Sequence, residues 1–200
     1  MNKILILLGS IFFFAGISCI SYFYFEMNKQ EQVQAKSLIE AKASFNENTP
    51  FVKGDENKGK GKPVEYHFKK GDVIGVLSIP KLDRELPIIS GTDEAELEKG
   101  VGHYSTTKLP GQKDRIFLAG HRDTVFTKMG ELQKGDQLTI EMETGTHIYE
   151  IYETLVVKET DLSVLEPTAP EEVLTLSTCY PFEYLSSTTD RYIINARRIE

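Results

Sequence analysis

Apolar and polar positions divide the chain into three stretches of different character. Ile4 to Phe25 contains no charged residue. At about 1.5 Å rise per residue this run makes a helix of roughly 33 Å, enough for a hydrocarbon core of about 30 Å. From Met27 to Phe45 the pattern turns polar, with Val33, Leu38, Ile39 and Phe45 too scattered to form a core-facing stripe, and it predicts a helical stalk. Asn46 to Pro63 (NENTPFVKGDENKGKGKP) has no apolar periodicity and is rich in Gly, Lys, Asn and Pro, the composition of a mobile linker. Its basic run Lys58, Lys60 and Lys62 reads as a solvated spacer.

Beyond Val64 the pattern changes to short apolar runs separated by turn residues. Asp72 to Pro80 is strand-like and ends at proline, and Leu86 to Ile89 is a second strand, placed at a sheet edge. Thr92 to Glu98 carries an N-cap candidate and acidic first-turn residues before Gly100, which predicts a short helix. Arg115 to Gly120 and Leu174 to Thr178 read as short buried strands, and Gln137 to Met142 and Arg191 to Arg197 as further ones. His147 to Val157 alternates, with Ile148, Glu150 and Tyr152 on one face and Tyr149, Ile151 and Glu153 on the other. Many short strands with little helix argue an all-β domain, either a barrel or a sandwich.

The N-terminal run is predicted to be an uncleaved anchor. Signal h-regions span only about 7–15 residues, and here apolar residues continue through Ile20, Tyr22, Phe23 and Phe25. Cys19 lacks the leucine that a lipobox needs before it, and reads as a small apolar membrane residue. Lys3 and the amino terminus form the positive flank, so the N-terminus is expected in the cytoplasm and everything from Glu26 onward outside. The expected organisation is an anchor over residues 1–26, a stalk and linker over 27–63, and a single external domain over 64–200.

Charge adds an exclusion. Residues 1–70 carry ten lysines against seven acids, and residues 71–200 carry thirteen Lys and Arg against twenty-three Asp and Glu. An acidic domain does not suit a nucleic-acid binder that works by phosphate neutralisation.

Outside the anchor there is one cysteine, Cys179, so no intramolecular disulfide can form. An unpaired thiol in an oxidising compartment suggests a reactive role. Cys179 ends the Leu174–Thr178 run, and the Tyr180-Pro181-Phe182 that follows stops the ladder because proline has no N–H to donate. His121 directly follows Ala119-Gly120 at another strand end, and Arg191 opens the last strand. A free thiol is only a few per cent thiolate near pH 7, and a neighbouring imidazolium and guanidinium both favour the anion. Histidine can then protonate a leaving amine, while arginine holds a carbonyl oxygen where negative charge develops. Cys, His and Arg therefore suffice for acyl transfer through a thioester. His103, in a glycine-rich loop, is the rival base; His67 and His147 read as structural, and Arg122 and Asp123 as scaffold for His121.

Leu118-Ala-Gly-His-Arg-Asp-Thr124, Thr175-Leu-Ser-Thr-Cys179 and Arg191-Tyr-Ile-Ile-Asn-Ala196, in that order, resemble the sortase family of Gram-positive surface transpeptidases. The resemblance covers about residues 71–200, and the single N-terminal anchor is consistent with it. It implies a closed eight-stranded β-barrel with short helices, and casts His121 as general acid/base, Cys179 as thioester nucleophile and Arg191 as oxyanion and substrate clamp. The Gly-His-Arg-Asp-Thr and Thr-Cys-Tyr-Pro-Phe forms look most like class D. Pilin-polymerising class C is the runner-up, although its Asp-Pro-aromatic lid has no match between Glu26 and Gly71. The loop Ser105 to Asp114 holds one acid and two lysines, so no calcium site of the class A type, and no other metal or cofactor, is expected. The implied substrates are sorting-signal peptides of LPXTG or LPXTA type and an amine on peptidoglycan or its lipid-linked precursor. Lys158 to Glu172 is the expected wall of the peptide groove. A cell-wall cysteine hydrolase is a second reading, against which stands the order His before Cys. An anchored adhesin is a third, and it leaves the His–Cys–Arg order a coincidence.

Overall fold

A computed structural model of the chain describes residues 2–46, 65–183 and 187–199. One continuous helix, α1 (Asn2–Asn46), joins the apolar run to the predicted stalk. Its 45 residues extend about 67 Å at 1.5 Å each. Leu5–Ser44 contains a window long and apolar enough to cross a membrane, and none of that window is buried inside the protein. The C-terminal turns behave differently. They lie against the strands Val73–Ile79 and Arg84–Ser90, where Ser37 and Ala41 are buried and Lys42 Nζ donates to Glu85 Oε2 at 2.5 Å. The expected linker lies outside the described residues apart from Asn46, and so does Val64.

Eight strands follow: β1 (Val73–Ile79), β2 (Arg84–Ser90), β3 (Val101–His103), β4 (Arg115–Ala119), β5 (Gln137–Met142), β6 (Gly145–Lys158), β7 (Val173–Tyr180) and β8 (Asp190–Arg198). They close in the order β1-β2-β3-β4-β7-β8-β6-β5, so of the two expected architectures the chain adopts the barrel. Most pairs are antiparallel; β2–β3 and β4–β7 are parallel. The short helix α2 (Glu94–Leu97) lies between β2 and β3. Inward residues of every long strand meet in one core, including Leu77, Ile88, Ile116, Leu118, Leu138, Ile140, Tyr149, Leu174, Leu176 and Ile194, joined by Phe126 from the segment after β4. Alternation along each strand places their neighbours on the outer face.

Four local expectations change. The Leu86–Ile89 strand is not an edge, because β2 pairs with β1 on one side and with β3 on the other. The N-cap position of α2 is Asp93 rather than Thr92. His103 ends a real strand, missed because Val101-Gly-His is too short and glycine-rich to show a period. The strict alternation drawn over His147–Val157 breaks at a bulge between Ile151 and Glu153, which pairs Glu153 with Asn195. There Asn195 Nδ2 donates to Glu153 Oε2 at 2.9 Å.

His103 and His147 are both buried, and burial pushes both imidazoles below the ordinary histidine value of 6.5. His103 Nε2 donates to the Lys108 carbonyl at 3.0 Å. Its depressed folded-state pKa means that the stability it contributes is present above about 6.5 and is lost as pH falls through the lower folded value. The melting temperature is therefore expected to fall on acidification from pH 7 to 5. The fall should be shallower in His103→Gln and His147→Gln, at about 1.4 kcal/mol per unit of difference between folded and unfolded pKa. Thermal melts across that range check it; equal slopes in all three proteins would contradict it.

Candidate active site

Strand register brings three of the sequence-selected side chains into one row. Along the parallel β4–β7 pair Ala119 lies opposite Ser177, and along the antiparallel β7–β8 pair Cys179 lies opposite Arg191. His121 stands two residues past Ala119, as Cys179 stands two past Ser177. The pairing is carried over the gap by Gly120 N–H donating to the Ser177 carbonyl at 3.1 Å, and by Thr178 Oγ1 donating to the Gly120 carbonyl at 2.8 Å. Leu174 and Leu176 point into the core, so Thr175, Ser177 and Cys179 face outward with Arg191, Ile193 and Asn195 beside them. His121 and Arg191 keep 29% and 28% of their side-chain surface exposed, and Cys179 is half-buried. The row is thus reachable from outside the barrel and rests on its packed wall.

The segment carrying His121 folds back tightly on itself. Phe126 N–H donates to the His121 carbonyl at 2.9 Å, and Val125 and Phe126 are fully buried beneath it. Gly120 permits this: a Cβ there would sit 2.7 Å from Val125 Cγ2 and 2.8 Å from the Phe126 ring. Gly120→Ala is expected to cost about 1–3 kcal/mol in overpacking. Displacing the adjacent His121 should also lower activity by up to about 10²-fold. Denaturant melts and turnover measured on one preparation check both; wild-type values for the two would remove glycine from this role.

Two arginines tie the segment down. Arg84 Nη1 donates to Thr127 Oγ1 at 2.6 Å, and its Nη2 to the carbonyls of Thr124 and Val125 at 3.0 and 3.3 Å. Arg122 Nη1 donates to the Pro181 carbonyl at 2.9 Å, linking the histidine segment to the end of the cysteine strand. Beyond that end Tyr180, Phe182 and Tyr192 pack together with ring centroids 5.1–6.0 Å apart.

The loop from β6 to β7, the expected groove wall, is pinned at both ends. At its start Lys158 Nζ donates to Asp190 Oδ1 at 2.5 Å, and Glu159 N–H to the Thr189 carbonyl at 2.7 Å. Further along, Asp114 Oδ1 accepts from the N–H groups of Thr168 and Ala169 at 2.6 and 3.1 Å. Against the cost of desolvation, these bonds and one from Arg115 N–H hold the Asp114 carboxyl below the ordinary carboxylate value. At the loop's end buried Glu172 accepts from Gly111 and Lys113 N–H, Tyr149 Oη and Arg198 Nη1. The acid of the Ser105–Asp114 loop thus serves as a loop fastener.

His121 and Arg191 each have an acidic neighbour that the sequence did not reveal. Glu94 Oε1 of α2 lies 3.5 Å from His121 Nε2, and Glu159 Oε2 accepts from Arg191 Nη2 at 2.6 Å. Both acids come from elements remote in sequence, with no pattern tying them to the row. His103 is absent from the row; it is buried at the end of β3. Among the described residues no group of three or more His, Cys, Asp or Glu side chains is placed to hold a metal ion. Register thus sets Cys179 cross-strand from Arg191, beside the strand that leads into His121, and a thiol, an imidazole and a guanidinium are the groups that thioester acyl transfer requires.

Comparison with known proteins agrees with that chemistry. A family model described as the sortase domain matches residues 77–199. Sortase D of Bacillus subtilis (strain 168) is 39% identical over 187 residues, covering 92% of this chain and 94% of that protein. Among solved structures, a Clostridium perfringens sortase D5 transpeptidase is similar with TM-score 0.67 and 30% identity, over 84% of this chain and 99% of that one. A Clostridium perfringens sortase C bearing the C-terminal cell wall sorting motif is similar with TM-score 0.61 and 25% identity, over 92% and 99%. With its barrel, its motif order and these matches, the chain belongs to the sortase family of cysteine transpeptidases and is similar to the class D members.

Proposed function

We propose that this sortase cleaves an LPXTG- or LPXTA-type sorting signal after its threonine and transfers the surface protein, through a thioester on Cys179, to a peptidoglycan amine. The observation that supports the reading is that Cys179 on β7 lies cross-strand from Arg191 on β8, with His121 two residues past the end of the neighbouring β4. In the first half-reaction the Cys179 thiolate adds to the threonine carbonyl. Arg191 faces the oxygen that becomes negative, and His121 gives a proton to the departing amine. In the second, His121 takes a proton from the incoming amine as its nitrogen attacks the thioester, and Cys179 leaves as thiolate. The wall from Lys158 to Glu172 flanks the peptide. Residues 1–26 are the anchor, 27–63 the stalk and linker, and 64–200 the catalytic domain. The N-terminus lies in the cytoplasm and the barrel outside, where peptidoglycan or its lipid-linked precursor supplies the amine.

The test incubates the full chain in detergent with LPXTG or LPXTA peptide and an amine, and identifies products by mass spectrometry. The expected product is the amide formed at threonine. An amide of equal yield from Cys179→Ala overturns the assignment, and hydrolysis indifferent to added amine would point to a hydrolase.

A further inference from the structure

The guanidinium of Arg191 has five N–H donors, and the structure accounts for three of them. Nη1 donates to the carbonyls of Thr188 and Asp190 at 2.7 and 3.1 Å, and Nη2 donates to Glu159 Oε2 at 2.6 Å. Among the described contacts this leaves the Nε hydrogen and one Nη2 hydrogen, two neighbouring donors on a side chain cross-strand from Cys179. An arginine side chain held by nothing gives up rotamer freedom when it is fixed. Here it is fixed before any peptide arrives.

Glu159 is the partner in this set that comes from outside the arginine's own end of β8. The main chain holds it in turn: its N–H donates to the Thr189 carbonyl, and the preceding Lys158 pairs with Asp190. The carboxylate is therefore presented to Arg191 by a rigid clasp between the end of β6 and the start of β8. Its 43% side-chain exposure leaves it partly in water, and Arg191 is covered more deeply at 28%. A carboxylate in that position draws the guanidinium tip in one direction and turns the remaining donors in another.

We propose that Glu159 is a positioning residue for Arg191, holding the guanidinium so that its Nε and remaining Nη2 hydrogens face the oxygen that gains negative charge beside Cys179. The inference rests on the reading of Arg191 as the oxyanion clamp. Glu159 touches no reacting atom. Its effect is carried by donors whose importance grows as charge develops, so it belongs to kcat rather than to KM.

The experiment uses the full chain in detergent with LPXTG or LPXTA peptide, whichever it turns over, and a saturating amine. It compares wild type with Glu159→Ala, Glu159→Gln, Arg197→Ala and Arg191→Ala. Glu159→Ala is expected to lower kcat about tenfold while KM changes less than about threefold. Glu159→Gln keeps an acceptor oxygen and should recover part of the loss. Arg197→Ala removes the exposed ion pair with Glu150 that joins the same two strands away from Cys179, and should stay within about twofold of wild type. Thermal melts of all variants are expected to agree within a few degrees. The proposal is overturned if Glu159→Ala keeps wild-type kcat, if its loss appears in KM, or if Arg197→Ala loses as much. Activity retained by Arg191→Ala would instead remove the reading of the arginine itself, whatever Glu159 does.

Discussion

Replacing Cys179 by alanine is expected to lower amide formation by at least about 10⁴-fold, with the fold and the peptide affinity left in place. The magnitude follows from what the thiol does: without it no covalent intermediate exists, and only binding and the flanking donors remain. Cys179 is half-buried on the outer face and outside the hydrophobic core, so alanine leaves no cavity among the packed side chains. The loss should therefore appear in turnover, with melting temperature unchanged within a few degrees. Two measurements decide it. Mass spectrometry of wild type quenched without amine should find peptide mass added at Cys179, and the variant should add none. An adduct on any other residue would refute the mechanism.

The second large effect is expected at His121. His121→Ala should reduce kcat by about 10²–10⁴-fold, and His121→Gln, which can hydrogen-bond but not transfer a proton, should do no better. Both half-reactions are affected, because the same imidazole that protonates the leaving amine must take the proton from the acceptor. Rapid-quench measurement of acyl-enzyme formation and separate measurement of its aminolysis should show both steps slowed. A variant impaired in only one of them would assign the other proton to a different group, for which buried His103, hydrogen-bonded to Lys108, is badly placed.

Much of this candidate site could be marked out before the structure, for physical reasons that differ from residue to residue. The strand carrying Cys179 announced itself as an apolar run stopped by Pro181, and β7 ends at Tyr180, where the ladder stops. His121 was legible as the residue directly after a buried run that ends at Gly120, whereas the close approach of Val125 and Phe126 to that glycine was not. What could not be read was register. That Cys179 faces Arg191 depends on pairings along the whole of β7 and β8, and these are set by which residues enter the core together. Glu94, Glu159 and Arg84 were illegible for the same reason, being brought to the row by tertiary closure alone. The parallel β2–β3 pair rests on three residues of β3, fewer than any periodicity can register.

Closure of the sheet from β1 round to β5 has a consequence for how an extended chain is recognised. An open sheet offers a row of unpaired amides at its margin, and any passing polypeptide can add to it as another strand, whatever its side chains. Among the described residues the strands close on one another and leave no such margin. A peptide lying over Cys179 meets side chains on a surface whose main-chain groups are already spent on their neighbours. Discrimination then falls on the shape and polarity of the peptide's residues, and nonspecific capture of unfolded chains is suppressed by the architecture itself.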